Sequence, residues 1–548
     1  MMAWLQHLQV VPIVTPLLVG ALILLISADR HQLRAALSVG SVLVQLAAAL
    51  TLLFMTTDSM PHLWQEGVGV YNIGAWPAPF GIVLVVDRFT AMMLTLTALV
   101  GLASVIYSLA NWDRVAPGFH SMFQFLLMGL NGAFLTGDLF NLFVFFEVLL
   151  ASSYGLLLHG SGPSRVKSGL HYIAVNLTAS FLFLIGVAMI YGMTGTLNMA
   201  DLAVRITLLD PDDRSLFEAG AAILGVAFLV KAGIWPLSFW LPTAYSAASA
   251  PVAAVFALLT KVGVYAVVRV GTLLASADVQ TSFIDEGLFY GGAATVTYGV
   301  IGMFAAQQLA RLVSYSVVAS SGLLLMALGL RNEALTAPVL FYLASSVLAA
   351  AAFYMLNGLT ERMRLFSIPN DADLAPLPDV TYVGFGVKEP PDPHSPEDEV
   401  GIAIPAAMAF LGLAFVCCVL LVAGLPPLSG FVAKFAMMHV VITTPPDTPE
   451  TWYEWLLVAA VLTTGLAAVI ALTRIGLRLF WSVTGRTTPR LRLIEVGPVA
   501  FLILLCFGLT IAAGPAMTYL ESAARSLHAP EVYIRLVHAQ PAVPGVTP

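Results

Sequence analysis

Fourteen apolar runs alternate with polar connections along this chain. They lie near residues 10–27, 35–56, 82–110, 120–136, 138–159, 168–192, 219–240, 252–273, 287–306, 311–330, 336–358, 403–442, 452–481 and 497–520. An α-helix rises 1.5 Å per residue and the hydrocarbon of a bilayer is about 30 Å thick, so about twenty apolar residues cross it. The pattern predicts an all-α polytopic membrane protein with about 14 transmembrane helices. The third, twelfth and thirteenth runs are longer than a bilayer requires and are expected to tilt, break or project beyond it.

Two of the runs carry a lysine beside a proline break: Lys231 with Pro236 and Pro242, and Lys434 with Pro426, Pro427 and Gly430. They fall in spans four to eight and nine to thirteen, which points to an internal repeat. A repeat unit of five spans is odd in number, so its two copies have opposite topology. Inverted repeats with a broken helix in each half are a recurrent transporter architecture. The expected organisation is helices one to three over 1–110, a first inverted repeat over 120–273 and a second over 287–481 with a cytoplasmic loop at 359–402, then a C-terminal helix and tail over 497–548. The loop rests on the polar stretch 365–402, where Pro390, Pro391, Pro393 and Pro396 stand among acids and no regular helix survives. The weakly amphipathic tail after Pro515 is expected to be partly disordered or held by a partner.

Composition strengthens the membrane reading. The chain has 548 residues, 59% of them hydrophobic and 10% charged, with mean hydropathy +0.90. Soluble domains carry about 25% charged residues. The net charge of −7 matters less than where the 24 Lys and Arg fall. With residues toward the ends of runs assigned to the neighbouring connection, fourteen go to odd-numbered connections and six, Arg269 among them, to even connections and tails, the rest being Arg88 and the three lysines inside spans. That bias places odd connections in the cytoplasm and both termini outside. The N-terminus reads as a retained first span rather than a signal peptide. Cys417, Cys418 and Cys506 all lie in apolar runs without metal or disulfide spacing and read as buried small hydrophobes.

The informative charges are those inside the runs. Glu147 stands in Phe145–Phe146–Glu147–Val148–Leu149–Leu150, between Asp138 and His159, with Tyr154 the other ionisable group in that interval. A charge at that depth costs roughly 3 kcal/mol on insertion scales. Lys231, Lys261 and Lys434 are equally isolated on their own segments, and together the four suggest a proton path. A proline inside a helix frees backbone carbonyls that protein or water must satisfy, so Lys231 and Lys434 sit where hydration is expected. Ordinary kinks are the alternative reading of these prolines, and a carboxylate bonded to a neighbouring helix is the alternative for Glu147. Lys261 reads as an intermediate proton station, with snorkelling to the interface as the alternative. Asp138 is both a helix cap and a candidate ion-path residue. Among His120, His159 and His171 near span ends, His171 is the candidate for cytoplasmic proton access, against a merely polar interfacial role.

No Walker motif, dinucleotide fingerprint, metal cluster or Ser–His–Asp arrangement occurs, so no cofactor, ATP use or electron carrier is expected. At this point the residues resemble a family. Thr136–Gly–Asp–Leu–Phe–Asn–Leu–Phe–Val–Phe–Phe–Glu147, Lys231–Ala–Gly–Ile–Trp–Pro236–Leu–Ser–Phe–Trp–Leu–Pro242, Leu259–Thr–Lys261–Val–Gly and Gly424–Leu–Pro–Pro–Leu–Ser–Gly430–Phe–Val–Ala–Lys434 closely resemble the D-type subunits of Mrp-type multisubunit cation/proton antiporters. The wider superfamily includes antiporter-like subunits of respiratory complex I and membrane-bound hydrogenases. The resemblance covers roughly residues 80 to 480 and implies that Glu147 and Lys231 form the glutamate–lysine pair, Lys261 the connecting lysine and Lys434 the terminal lysine.

There are departures. Ser238 stands where complex I relatives usually have histidine, Thr243 follows Pro242 where they tend to have aspartate, and Ser345–Ser346 with Ala349 and Ala350 replace a histidine and a lysine. Tyr342, Ser345 and Ser346 are the candidate liners of that middle stretch. The resemblance implies a proton-translocating subunit of a Na⁺ (or other monovalent cation)/H⁺ antiporter in a bacterial plasma membrane, working with other membrane subunits and without nucleic acid or enzymatic turnover. The rival implication is an antiporter-like subunit of a redox complex.

Overall fold

The computed structural model describes residues 7–57, 64–110, 112–116, 118–276, 282–366, 404–443, 451–480 and 491–539. The described residues form nineteen helices and a two-stranded sheet. The helices are α1 Val11–Leu25, α2 His31–Met55, α3 Arg88–Ser108, α4 Phe119–Leu135, α5 Leu139–Leu157, α6 Pro163–Thr194, α7 Met199–Arg205, α8 Pro211–Ala232, α9 Trp240–Ala247 and α10 Ala250–Ser276. They continue with α11 Ser282–Ala305, α12 Leu309–Leu328, α13 Glu333–Phe366, α14 Ile404–Ala423, α15 Ser429–Thr443, α16 Thr451–Phe480, α17 Leu493–Ile511, α18 Ala513–His528 and α19 Glu531–His538.

Every one of the fourteen apolar runs carries a helix, and among the described residues thirteen helices are long and apolar enough to cross a membrane. The fourth run falls short of that measure because α4 has 17 residues and carries His120, Ser121, Gln124 and Asn131. This is a multi-pass membrane protein. α10 and α13 are almost wholly buried and form its centre, whereas α1, α14 and α17 turn most of their surface outward. Around that centre α6 packs on α8, α11 on α12, and α4 on α5.

The structure corrects several expectations. The third run is not one helix: Val83–Val86 forms a strand paired antiparallel with Gly69–Asn72, and Asp87 then caps α3 by accepting from the Thr90 amide at 2.9 Å. Asp87 and Arg88 mark the junction, but a charged pair near the head of an apolar run does not distinguish a short buried strand from helix. The twelfth run, expected to tilt, break or project, does break, into α14 and α15. Residues 359–366, expected in a loop, continue α13 through Phe366, because the polar composition there ends the membrane crossing and not the helix. The remaining loop expectation, 367–402, lies outside the described residues, as does the tail beyond 539. The tail from 513 to 538 is helical and held by its own chain. Tyr519 reaches Thr56 at 2.8 Å and the Arg88 carbonyl at 3.0 Å, and His528 meets Thr336 at 2.8 Å. Arg269, counted above among the connections, is buried inside α10 and paired with Asp87 at 2.7 Å. A single arginine near the end of an apolar run gives no sign that its partner waits on another helix.

Both proline breaks are present, and both begin at a glycine ahead of the proline. α8 ends at Ala232 with Gly233 at φ +79°, and α14 ends at Ala423 with Gly424 at φ +75°. The next amide turns back to the helix in each case: Ile234 to the Leu229 carbonyl at 3.1 Å, Leu425 to the Leu420 carbonyl at 2.9 Å. This left-handed glycine closure is how a helix stops cleanly, and the following prolines prevent it from resuming at once. Pro236 and Pro426–Pro427 thus lie within the non-helical links rather than at the last helical turn.

Candidate functional site

The first lysine closes α8. Lys231 lies in its last turn, where the negative end of the helix favours a cation. Its ammonium donates to the Ser180 hydroxyl at 3.5 Å and lies 5.2 Å from the Phe146 ring centroid. Ser180 in turn donates to Glu147 Oε1. Glu147 and Lys231 are therefore joined through a hydroxyl on α6 rather than by a direct ion pair. Ser180 also lies 3.1 Å from the Asn176 carbonyl. One hydroxyl carries one proton and accepts on its lone pairs, so Ser180 can donate to the carboxylate while accepting from the ammonium.

The second lysine is on α10. Lys261 is buried and donates to Ser320 at 3.3 Å and Ser321 at 3.1 Å, both on α12. This geometry is the inward alternative, not snorkelling. The third, Lys434 on α15, reaches across the second break. It donates to the Val422 and Ala423 carbonyls at 3.2 and 3.0 Å, the groups freed where α14 ends. Space for that reach comes from Gly424, where a Cβ would overlap Lys434 Cδ.

A cavity joins Lys261 to Lys434. Tyr342, Ser345 and Ser346 line it, with Ser320 and Thr464 beside them. The space open to the centre of a water molecule is about 40 Å³, room for about three waters at 10–15 Å³ each. Ser345 also bonds Ser429 at 2.8 Å, linking α13 to the start of α15. The three residues expected to stand in for a missing histidine and lysine thus lie between the two lysines. Around the first break, Ser238, Trp240 Nε1, Tyr245, Ser249 and Thr260 present buried polar atoms with no hydrogen-bond partner among the described residues. Groups of this kind are satisfied by ordered water in native interiors.

Two accessory candidates stand apart from these contacts. Asp138 caps α5, accepting from the Asn141 amide at 2.8 Å, which is its cap reading. His171 is exposed on α6 and meets its own Lys167 carbonyl at 2.9 Å, so it does not join Glu147 or Lys231. Sequence reasoning missed Ser180, Ser320 and Ser321. A signal existed for the first: Tyr172, Asn176 and Ser180 recur every four residues in an otherwise apolar run and so share one helix face. Among the described residues no group of three or more His, Cys, Asp or Glu is placed to hold a metal ion, and the three cysteines are buried and free.

Fold and site together define a polytopic membrane protein in which three buried lysines and one carboxylate stand beside hydroxyls and carbonyls, two of the lysines next to helix breaks. Residues 136–388 match the family model described as NADH:quinone oxidoreductase/Mrp antiporter, transmembrane. The chain is 50% identical over 98% of both chains to a probable K(+)/H(+) antiporter D-type subunit of Rhizobium meliloti. It is 33% identical to the Na(+)/H(+) antiporter D-type subunit of Alkalihalophilus pseudofirmus, over 97% of this chain and 99% of that one. A chain in the structure of the Mrp complex from Dietzia sp. DQ12-45-1b shares the fold with a TM-score of 0.80, covering 98% of this chain and all of that one at 24% identity. The chain belongs to the Mrp family of antiporter subunits, in its D-type branch.

Proposed function

We propose that this chain is the proton-translocating subunit of a multisubunit monovalent cation/proton antiporter, and that protons move along the axis Glu147, Lys231, Lys261 and Lys434. The observation that carries this reading is the set of polar neighbours around the four charges: Ser180 between Glu147 and Lys231, Ser320 and Ser321 at Lys261, carbonyls at Lys434, and a cavity lined by both Lys261 and Lys434. Burial favours the neutral forms of acid and lysine and approach favours the charged forms, so moving one proton changes what its neighbour holds. Asp138 and His171 are accessory to this route at most. The two halves, 120–273 and 287–481, act as inverted repeats around their breaks, with both termini outside a bacterial plasma membrane. The chain works as a transporter subunit, not an enzyme, and needs other membrane subunits for exchange.

The relative at 50% identity is named for K⁺ and the one at 33% for Na⁺. The test is cation-dependent dissipation of ΔpH in everted vesicles containing the whole complex, with K⁺ and Na⁺ in separate arms. Glu147→Gln and Lys231→Ala are expected to abolish exchange while the complex still assembles. Unchanged exchange in an assembled Glu147→Gln complex sinks the axis. A ΔpH response to electron donors with none to either cation favours the redox-complex rival instead.

A further inference from the structure

A second cluster of titratable groups lies apart from the lysine axis, where α4 begins and α5 ends. Asp113 comes from the turn Trp112–Arg114 after α3, His120 from the first turn of α4, and His159 from just past α5. Their relative exposures are 9%, 5% and 6%, so all three are nine-tenths or more buried. His120 Nε2 is 3.4 Å from Asp113 Oδ2, and His159 Nε2 is 3.2 Å from the Trp112 carbonyl. Phe119 packs edge-on against both imidazoles. Arg165, at the start of α6, donates to the His159 and Ala247 carbonyls at 2.6 and 3.1 Å. Arg114 and Lys167 lie at the same end of the bundle.

These contacts settle where the ring protons sit. A carbonyl and an ionised carboxylate only accept, so Nε2 carries the proton in both histidines and Nδ1 of each neutral ring is a bare lone pair. Both Nδ1 atoms and Asp113 Oδ1 are buried with no partner among the described residues. Three buried acceptors without a donor require water, or a proton. Burial holds the His159 imidazole below its ordinary value, with Arg165 and His120 pushing the same way and the Trp112 carbonyl and Asp113 pulling back.

On the Glu147 side, a polar stripe runs along α6. Tyr172, Asn176 and Ser180 follow one face of α6 over about 12 Å. The Tyr172 hydroxyl lies 2.8 Å from Ser153 on α5, Asn176 donates to the Tyr172 carbonyl at 2.9 Å, and Ser180 bonds Glu147. Tyr154, five residues before His159, stands edge-on to Tyr172 at 5.1 Å. We propose that Asp113, His120 and His159 form a hydrated proton-exchange site linking Glu147 to the face of the membrane that carries most of the Lys and Arg connections. The assignment rests on the proton-path function proposed above and moves the access role from the exposed His171 to buried residues. A proton arriving by water binds Nδ1 of a neutral ring to give an imidazolium, and its return to water regenerates the ring. Asp113 and the Trp112 carbonyl favour the charged form of His159, and Arg165 disfavours it.

The test uses the whole complex in everted vesicles, with exchange read per assembled complex across the ordinary histidine titration range. The double variant His120→Gln/His159→Gln is expected to lose about tenfold or more of the exchange rate and to flatten the pH profile. A His159→Ala variant is expected to regain exchange when imidazole is added, which a merely structural role would not allow. Rate and pH profile within about twofold of the parent, or no imidazole response in His159→Ala, overturn the assignment. Should the double variant fail to assemble, the imidazole arm alone decides. Glu147→Gln is run in parallel: its failure with normal histidine variants removes this site only, whereas its normal exchange removes the axis.

Discussion

Replacing Ser180 by alanine tests whether Glu147 and Lys231 communicate through a shared hydroxyl. The side chain is buried on α6, donates to Glu147 and accepts from Lys231 at 3.5 Å. A hydrogen bond to a charged group contributes about 1.5–3 kcal/mol. At 1.36 kcal/mol per factor of ten in rate, its loss from the transfer barrier slows exchange by about 10- to 150-fold. If Ser180 only ties α6 to α5, the relevant figure is the average interhelical hydrogen bond in a membrane, about 0.6 kcal/mol, and the change is about threefold or less. The two readings therefore separate in a single assay: initial rate of cation-dependent ΔpH dissipation in everted vesicles, normalised to assembled complex. Ser180→Thr retains the hydroxyl and is expected to retain most of the rate. Exchange by Ser180→Ala within about threefold of the parent, with Glu147→Gln inactive, refutes the bridging role.

Two further outcomes follow from geometry elsewhere. Gly424→Ala puts a Cβ into Lys434 Cδ at a φ of +75°, where a side chain costs roughly 1–2 kcal/mol. Lys434 is expected to leave the Val422 and Ala423 carbonyls, and exchange to fall. Gly412→Ala on α14, with nothing within 4 Å, is the neutral control, and equal exchange rates in the two variants refute the argument. Asp87→Asn keeps the cap acceptor but leaves Arg269 buried without its charge partner, at a cost of about 3–5 kcal/mol. The detergent-solubilised complex is expected to melt at lower temperature, with partial recovery on adding Arg269→Gln; an unchanged melting temperature for Asp87→Asn contradicts the clamp.

Much of this protein is legible one residue at a time. Crossings follow from run length, because a bilayer demands about twenty apolar residues and leaves no other use for so many such runs. Glu147, Lys231, Lys261 and Lys434 stand out because charge at that depth is costly and therefore rare. The break positions are visible to within a few residues, since proline cannot continue a helix. Tertiary structure alone decided what those charges touch. Ser180, Ser320, Ser321 and the carbonyls of Val422 and Ala423 belong to residue types common in any apolar run. Their roles depend on which faces of α6, α12 and α14 meet the lysines. The Arg269–Asp87 pair joins residues 182 apart in sequence, and no local pattern foretells such a pairing. Strand Val83–Val86 was hidden for a related reason: hydropathy reports burial and does not distinguish a short buried strand from the helix that follows it. Sequence thus determined where charge must be tolerated, and packing of helix faces determined how it is tolerated, because hydrogen bonds act over about 3 Å and only the fold brings distant segments that close.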